Sequence, residues 1–414
     1  MDQHSLSATE LNHIFSLASQ AHSAGDLDQA LLGYASLIDQ VPASALLQYN
    51  LGLVYFGLDR FEESLQAFLL ADTLEPQDCD TLFNLALCQG KVGHPRKAIA
   101  LYLQVLALFP EHVDALYNLG GCYQRLHQDA KAMEYYQKTL TLAPAYLSAL
   151  NNLAYLYHRA GEIDEATALY ARVLELRPED ESVRYLLAAL LGLPLTEAPD
   201  VYVQDFFDAY AEDFERSLVK DLGYNNPRLL FDCFCQTTTM GLHYSHGLDL
   251  GCGTGLSGQA FKERIDVLDG VDLSPAMLKQ AETKGCYQQL CQDSINHFLH
   301  STTEKFDFFI ATDVFIYVGA LESIFTMAHA HACAGALFCF STEELHEAGY
   351  RLQPSGRFAY SSNYIHHLAD STGWKILAEQ PTQLRRERDG WIRGELWVFQ
   401  WQELLAEENR GRAD

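Results

Sequence analysis

A glycine-rich turn in the second half of the chain carries the residues best suited to bind a ligand. Gly251, Gly253 and Gly255 follow the short apolar stretch 247–250 and open a predicted helix, and Asp249 lies within that stretch. Glycines permit a tight turn and let a ligand approach the backbone, while the helix N-terminus presents free N–H groups. The spacing differs from the GxGxxG dinucleotide fingerprint, and a carboxylate just before the turn would repel a pyrophosphate. The sequence therefore predicts a site for a ligand with a cationic end.

Three further side chains stand at the ends of the apolar stretches that follow. Asp272 ends a second predicted strand about twenty residues after the turn, where a carboxylate can accept from both hydroxyls of a ribose. Met277 lies on the next predicted helix and is placed to press on an adenine ring. Asp293 follows a third predicted strand and is placed to accept from the adenine amino group. Each also has a purely structural interpretation, because the two aspartates can cap helices and the methionine can fill a core.

The second half of the chain alternates predicted strands and helices. A fourth strand ends at Asp313, a fifth covers residues 336–344, and two last strands over residues 375–387 and 394–401 form a hairpin. This order is typical of a doubly wound α/β sheet with an antiparallel edge. Together with the glycine turn and the acidic residues, it resembles a class I S-adenosylmethionine-dependent methyltransferase with a seven-stranded, Rossmann-like sheet. The resemblance implies S-adenosyl-L-methionine as the cofactor, with its methionine end held by Asp249, Gly251, Gly253 and Gly255, its ribose by Asp272, and its adenine by Met277 and Asp293.

The carboxyl ends of the fourth and fifth predicted strands carry the candidate catalytic residues. Asp313 ends the fourth strand and Tyr317 follows one helical turn later, at the edge where doubly wound sheets bind ligands. Both are placed to orient or deprotonate a methyl acceptor, although a solvated rim or a helix cap is an equally simple interpretation. The Asn/Asp-Pro-Pro-aromatic signature of methyltransferases that act on base amines or glutamine is absent, because residues 311–314 read ATDV. This argues against those two acceptors and leaves other amines open.

The first half of the chain repeats every 34 residues. Prolines that follow apolar stretches mark the repeat at Pro42, Pro76, Pro110, Pro144 and Pro178. Three further columns keep this spacing: small residues at Ala18, Gly52, Ala86, Gly120 and Ala154, aromatic residues at Tyr34, Phe68, Tyr102, Tyr136 and Tyr170, and turn residues at Gly25, Asp59, Gly93, His127 and Gly161. Proline ends a helix, and small residues let two helices approach closely. The pattern resembles the tetratricopeptide repeat and predicts an all-α solenoid of five repeats over residues 11–178.

The repeats carry a column of carboxamides on the face that is concave in this family. Asn50, Asn84, Asn118 and Asn152 form the column, and the rings of Tyr49, Phe83 and Tyr117 directly precede the first three. Asparagine both donates and accepts hydrogen bonds, so the column suits the backbone of an extended peptide. It resembles the asparagine ladder of O-linked N-acetylglucosamine transferases, which hold protein substrates in this way. The alternative is that the asparagines are polar filler and the rings pack between neighbouring repeats.

The boundary between the two halves is predicted where the helical periodicity lapses. Proline, glycine and acidic residues gather around residues 192–202. Residues 179–195 are accordingly predicted as a helix that caps the solenoid, followed by a linker, since the end of a solenoid needs a polar cover. Residues 203–402 are predicted as the methyltransferase domain, and residues 403–414 as an acidic and polar tail.

Length, charge and cysteine usage exclude several classes of protein. The 414 residues suit two or three domains, and 28 Lys and Arg against 55 Asp and Glu give a net charge of −27. Such a surface disfavours broad binding to nucleic acid or anionic lipid. The ten cysteines lack the spacing of a zinc site, and no apolar run reaches the roughly 18 residues that span a bilayer. A cytoplasmic protein without a metal or a membrane span is expected.

Joining the halves predicts a methyltransferase whose repeats capture a protein or peptide substrate. The arrangement resembles bacterial proteins in which tetratricopeptide repeats are fused to a class I methyltransferase. Two alternatives stay open. One is a methyltransferase for a small carboxylate, hydroxyl or carrier-bound acid, with the repeats used for assembly. The other is a scaffold that binds the cofactor but has lost catalysis.

Overall fold

A computed structural model describes residues 6–211, 223–238, 241–387 and 390–401. The chain divides into two compact units, Met1–Pro178 and Glu179–Asp414. The predicted tail over residues 403–414 lies outside the described residues.

The described part of the first unit is built from helices that pack as consecutive antiparallel pairs. In chain order the helices are α1 (Ala8–Ser23), α2 (Leu27–Ile38), α3 (Ala45–Gly57), α4 (Phe61–Leu74), α5 (Cys79–Lys91), α6 (Pro95–Leu108), α7 (Val113–Arg125), α8 (Asp129–Leu142), α9 (Leu147–Ala160) and α10 (Ile163–Leu176). They make five helix–turn–helix units, which confirms the all-α repeat architecture.

The residue columns of the repeat explain why each pair forms. The aromatic column is buried in every repeat, and Tyr136 packs so tightly against Gly120 that an added Cβ there would lie 2.7 Å from its ring. Every residue of the turn column has a positive φ, including Asp59 at 57° and His127 at 55°. This left-handed conformation reverses the chain within one residue, and it favours glycine, which stands at the other three turn positions.

The described part of the second unit begins with helices and continues as a β/α alternation. The helices that come first are α11 (Glu181–Leu191), α12 (Asp200–Tyr210) and α13 (Asn226–Thr237). The elements that follow are β1 (Tyr244–Leu250), α14 (Leu256–Phe261), β2 (Ile265–Asp272), α15 (Pro275–Glu282), β3 (Gln289–Gln292), α16 (Ile295–Ser301), β4 (Phe306–Ala311), a 3₁₀ turn (Phe315–Tyr317), α17 (Glu322–His331), β5 (Ala332–Glu343), β6 (Tyr350–Leu352), β7 (Phe358–Tyr360), α18 (Ser362–Thr372), β8 (Trp374–Glu387) and β9 (Gly390–Trp401).

Seven of these strands form one sheet in the order β3-β2-β1-β4-β5-β9-β8. The strands from β3 to β5 are parallel, and β9 runs antiparallel to both of its neighbours. The predicted doubly wound sheet with an antiparallel hairpin at one edge is therefore confirmed. The short pair β6–β7 is an addition that the sequence patterns did not indicate.

Both faces of the sheet are buried, and this fixes the edge at which functional residues gather. Phe309 and Phe338 belong to the apolar cluster on one face, whereas Phe308 and Cys339, their neighbours in β4 and β5, belong to the cluster on the other. Side chains at the middle of the strands are therefore committed to the core. Residues free to meet a ligand lie where the parallel strands end, at the carboxyl edge of β1, β2, β4 and β5.

Helix α11 packs into the second unit. Tyr185 and Ala189 are buried in its apolar core, and the Tyr185 hydroxyl donates to the carbonyl oxygen of Gly356 (2.9 Å). The compact units consequently divide at residue 178, before the segment 179–195 rather than after it. The role of this helix as a cap of the solenoid stays a prediction.

Candidate functional site

The glycine turn after β1 is fixed to the neighbouring strand by its backbone. The N–H groups of Gly251 and Cys252 both donate to the carbonyl oxygen of Val271 in β2, at 2.8 and 3.0 Å. Gly251, Gly253 and Gly255 have φ values of 69°, 53° and 88°, a region that side chains disfavour. A Cβ on Gly253 would meet nothing within 4 Å, so the space above this residue is open. The turn is thus a rigid cradle with an open side.

Asp272 lies at the end of β2 and holds the same turn. One of its carboxylate oxygens accepts from the Gly253 N–H (2.9 Å), and the other accepts from the Ser274 N–H (2.9 Å). Asp249 lies close enough for the charge of Asp272 to raise its pKa. The structure therefore brings the two predicted carboxylates together around one glycine turn.

Asp249 is fully buried and only partly satisfied. Its Oδ2 accepts from the Tyr287 hydroxyl (2.7 Å), whereas its Oδ1 has no hydrogen-bond partner among the described residues. Burial raises the pKa of Asp249 to about 7, the nearby Asp272 charge adds to this, and the Tyr287 hydrogen bond opposes it. A buried carboxylate oxygen without a donor is costly, so the position favours a ligand that brings a cationic donor.

The two residues predicted to contact adenine lie beside this cradle. One is buried, and the carboxylate of the other is already hydrogen-bonded. Met277 is buried in the first turn of α15, where its N–H donates to the Ser274 hydroxyl (3.1 Å). The Asp293 N–H donates to the Asp272 carbonyl oxygen (3.1 Å), which places Asp293 next to the cradle. Its carboxylate is already engaged by the Ser294 N–H (2.8 Å) and by His297 Nδ1 (2.7 Å). Asp293 therefore serves as a helix-terminus partner, and its adenine contact stays a prediction.

The two candidate catalytic residues lie in different surroundings. Asp313 has a φ of 57°, and its carboxylate accepts from Asn226 Nδ2 (2.7 Å) and from the Ser341 hydroxyl (3.0 Å). Tyr317 is buried in the apolar core, with its ring 5.4 Å from that of Phe207. A polar cluster thus surrounds Asp313, whereas Tyr317 packs as a core residue. The catalytic role of each stays a prediction.

Several residues of this edge carry no motif and were missed in the sequence. Tyr287 is 38 residues from Asp249, and Asn226 is 87 residues from Asp313. Burial raises the pKa of the Tyr224 hydroxyl well above its usual value, and the nearby Asp313 carboxylate adds to this. Only the Asn-Pro start of α13 was visible as a local signal, and it indicates a helix start rather than a site.

The carboxamide column of the repeats is partly engaged within the solenoid. Asn50, Asn84 and Asn118 each donate through Nδ2 to the carbonyl oxygen four residues earlier, at 2.8 Å. Asn84 Nδ2 also donates to the Tyr49 hydroxyl (3.2 Å), and Asn152 Nδ2 donates to the Tyr117 hydroxyl (3.3 Å). The two bonds to tyrosine hydroxyls join neighbouring repeats.

The three rings that accompany the column pack onto the aromatic column of the repeats. Their centroid distances are 5.6 Å for Tyr49–Phe68, 5.9 Å for Phe83–Tyr102 and 5.7 Å for Tyr117–Tyr136. The packing interpretation therefore accounts for much of what these rings do, while the four asparagines remain half-exposed.

None of the helices within the described ranges is both long enough and apolar enough to cross a membrane. Across those same ranges, no group of three His, Cys, Asp or Glu side chains is arranged to hold a metal ion. All ten cysteines are free thiols.

Comparisons with protein families match both units. A family model described as a methyltransferase domain matches residues 248–335. Three models of the tetratricopeptide repeat match residues 16–78, 80–112 and 111–179. The chain therefore contains tetratricopeptide repeats followed by a methyltransferase domain.

Individual proteins resemble parts of the chain. Human methyltransferase-like protein 27 is 41% identical over 86 residues, which are 20% of this chain and 35% of that protein, so the match spans about a third of the human protein. The structure of an S-adenosylmethionine-dependent methyltransferase from Clostridium acetobutylicum is 17% identical, with a TM-score of 0.36, and the match covers 48% of this chain and 100% of that one. The structure of YrrB, described as a TPR protein with an unusual peptide-binding site, is 18% identical with a TM-score of 0.37, and the match covers 40% and 86%.

We expect Asp249→Asn to change how the stability of the second unit depends on pH. The folded-state pKa of Asp249, about 7, lies well above its unfolded value of about 3.9. The stability that the protonated carboxyl contributes is complete below pH 4 and is lost as the pH rises through 7. Asparagine mimics the protonated form. The free energy of unfolding of the variant, relative to that of the wild type, should therefore increase by on the order of 2–3 kcal/mol as the pH rises from 5 to 8.

Urea unfolding followed by tryptophan fluorescence measures this difference. The signal reports the second unit because every tryptophan lies there, at Trp374, Trp391, Trp397 and Trp401. Asp266→Asn is the matched control, since the Asp266 side chain in β2 is 68% exposed and its loss should leave the pH dependence unchanged. A gap between the Asp249→Asn variant and the wild type that stays constant from pH 5 to pH 8 would contradict the buried carboxyl as its cause.

Proposed function

We propose that the second unit is an S-adenosylmethionine-dependent methyltransferase whose acceptor is a protein or peptide bound by the repeats. The observation that carries the cofactor assignment is the buried Asp249 oxygen, which finds no donor in the described part of the chain and lies beside a glycine turn whose open side is also bordered by Asp272. A carboxylate in this state fits an ammonium group, and it does not fit a phosphate.

The residues at the turn fit each part of this cofactor. Asp249 Oδ1 would accept from the amino group of the methionine end, and the backbone N–H groups of the turn would face its carboxylate. The oxygens of Asp272 accept from the N–H groups of Gly253 and Ser274, and the carboxylate would accept from the ribose hydroxyls as well. Met277 would border the adenine, with Asp293 beside it. When bound, the cofactor supplies a methyl group made electrophilic by the adjoining sulfonium.

The repeats supply the partner surface in this proposal. The half-exposed asparagines use an N–H within the solenoid, and their carbonyl oxygens are suited to accept from the backbone of an extended chain. Residues 1–195 hold 11 Lys and Arg against 23 Asp and Glu, so a neutral or basic partner is favoured. Capture by a second site on the same chain raises the local concentration of the acceptor at the methyltransferase. The free cysteines suit a reducing compartment, and we propose the cytoplasm.

Incubating cell lysate with methyl-labelled cofactor tests the proposal. The full chain should label protein bands. Asn84→Ala combined with Asn118→Ala should lower that labelling about fivefold or more, because two of the four asparagines proposed to contact the peptide are lost. Asn12→Ala, which removes an exposed asparagine of α1 outside the column, is the matched control and should label normally. Label found only in small, solvent-extractable products would instead support a small-molecule methyltransferase whose repeats serve assembly. Cofactor binding without any transfer would support an inactive scaffold.

A further inference from the structure

Tyr287 joins the start of α14 to the buried carboxylate of Asp249. The Gly258 N–H donates to the Tyr287 hydroxyl (3.2 Å), and that hydroxyl donates to Asp249 Oδ2 (2.7 Å). A hydroxyl has a single proton, and the Gly258 N–H occupies one of its lone pairs, so the proton is left for the carboxylate. The backbone of α14 therefore helps to set the direction of the hydrogen bond to Asp249.

The ring of Tyr287 lies directly against the glycines at the start of α14. A Cβ added to Gly258 would lie 2.5 Å from both Cζ and the hydroxyl oxygen of the ring, and one added to Gly255 would lie 3.1 Å from Cε2. Packing this close leaves the ring little room to move, and a side chain at residue 258 would displace the hydroxyl. The two glycines thus hold the hydroxyl at one distance from Asp249.

This hydrogen bond makes the two oxygens of Asp249 different from each other. Oδ2 is occupied by the Tyr287 hydroxyl, whereas Oδ1 finds no donor within the described ranges. The terminal torsion of an aspartate is soft, so an unheld carboxylate would sample many orientations. A ligand that donates to Oδ1 meets a side chain that is already ordered, and preorganisation of this kind strengthens binding.

The same hydrogen bond favours the ionised form of Asp249. Burial raises the pKa of this carboxyl to about 7, the Tyr287 hydrogen bond lowers it, and the charge of Asp272 raises it. The other titratable groups whose charges would act on Asp249 are Cys252, Cys286 and Tyr224. Burial raises the pKa of each of these three groups above its usual value, so all three are neutral at pH 7. Among these groups, Tyr287 is the one that stabilises the negative charge.

We propose that Tyr287 is a positioning residue for cofactor binding, which orients Asp249 so that Oδ1 receives the ammonium group of the methionine end. The inference rests on the proposed methyltransferase function and adds to it a residue that acts through Asp249. An ammonium group is attracted by the ionised carboxylate, so binding of the cofactor releases the proton from any Asp249 that is still protonated. Tyr287 lowers the cost of that release.

Tyr287→Phe tests the inference, because it removes the hydroxyl and keeps the ring. We expect the affinity for S-adenosylmethionine to fall about tenfold at pH 6, the effect of losing one hydrogen bond to a charged group. At pH 8.5 the deficit should shrink to about threefold or less, because Asp249 is then ionised in both proteins. The amino group of the cofactor titrates equally in both titrations, so it cancels from the ratio of the two affinities. Isothermal titration calorimetry measures both values.

The number of protons released on binding gives a second readout. Titrations at pH 7 in phosphate and in Tris, two buffers with different enthalpies of ionisation, yield this number. The wild-type Asp249, with a pKa of about 7, is already half ionised. Tyr287→Phe should therefore release up to about half a proton more per cofactor than the wild type. A merely structural loss of affinity would leave the proton number unchanged.

Two further variants separate position from folding. Tyr360→Phe is the matched control, since the buried Tyr360 hydroxyl also donates over 2.7 Å, but to the carbonyl oxygen of Phe315. It should change neither the affinity ratio nor the proton number. Gly258→Ala keeps the Tyr287 hydroxyl but forces it away from its place, and it should reproduce both effects of Tyr287→Phe.

The outcomes distinguish this inference from the proposed function. Wild-type affinity and proton release in Tyr287→Phe or in Gly258→Ala would overturn the inference while leaving cofactor binding intact. A deficit of equal size at pH 6 and pH 8.5, with an unchanged proton number, would reduce Tyr287 to a structural role and overturn it as well. A wild-type chain that does not bind S-adenosylmethionine would contradict the proposed function and, with it, the role of Tyr287.

Discussion

Asp272→Ala will weaken the binding of S-adenosylmethionine by about 100-fold or more. Asp272 is proposed to accept from both ribose hydroxyls, and a hydrogen bond to a charged group contributes about 1.5–3 kcal/mol. Losing two such bonds corresponds to a change of two or more powers of ten in Kd. The substitution also removes the carboxylate that accepts from the N–H groups of Gly253 and Ser274, so the glycine turn loses its anchor on β2. Isothermal titration calorimetry with the cofactor measures the effect directly.

The control for this experiment lies on the same strand. Asp266→Ala removes an equally sized carboxylate from the opposite end of β2, where the side chain is 68% exposed, and it should leave the cofactor affinity unchanged. Asp272→Asn separates the two roles of Asp272, because its amide keeps one acceptor oxygen for the turn but lacks the negative charge. An Asp272→Ala variant that remains folded and binds the cofactor with wild-type affinity would remove the ribose assignment.

The repeat architecture was predictable because its determinants are local and periodic. Columns of prolines, small residues and aromatic residues that all repeat at one spacing are compatible only with a stack of similar helix pairs. Even the backbone of the turns was implicit, since Asp59 and His127 adopt the left-handed conformation of the glycines that stand at the equivalent positions. The same periodicity could not assign α11, because Tyr185 and Ala189 are as apolar as a repeat residue but pack into the second unit.

The candidate site was predictable only for residues that lie close together in the sequence. Asp249, the three glycines and Asp272 were visible because the turn and the two strand ends lie within about twenty residues of sequence. Tyr287 and Asn226 were not visible, because sheet topology rather than sequence spacing brings them to Asp249 and Asp313.

Tyr317 shows what sequence spacing leaves open. Its position after β4 predicts a functional residue, and the 3₁₀ turn places its ring in the core beside Phe207, so its catalytic role stays a prediction. Sequence spacing predicts at which edge of the sheet a residue lies, and packing decides in which direction its side chain points.

The carboxyl edge of the sheet at β5 contains a buried ion pair. Arg385 in β8 and Glu343 at the end of β5 pair across the intervening strand β9, and both side chains are 7% exposed. Taking two charges out of water costs several kcal/mol for each ion, and their mutual attraction offsets this only while both are present. The pair therefore makes the carboxyl edge at β5 sensitive to the loss of either member, even if it adds little net stability.

Arg385→Met should accordingly lower the free energy of unfolding of the second unit by about 3–5 kcal/mol, since it leaves the Glu343 charge buried without a partner. Adding Glu343→Leu should restore most of that loss, because two apolar side chains replace two charges. Urea unfolding followed by tryptophan fluorescence measures both variants, and Arg351→Met, which breaks the exposed Arg351–Glu347 pair, should cost at most about 1 kcal/mol. If the double variant is as unstable as Arg385→Met alone, the loss comes from packing of the arginine stem rather than from the unpaired charge. In the expected case, the ion pair serves to keep the buried charge of Glu343 neutralised.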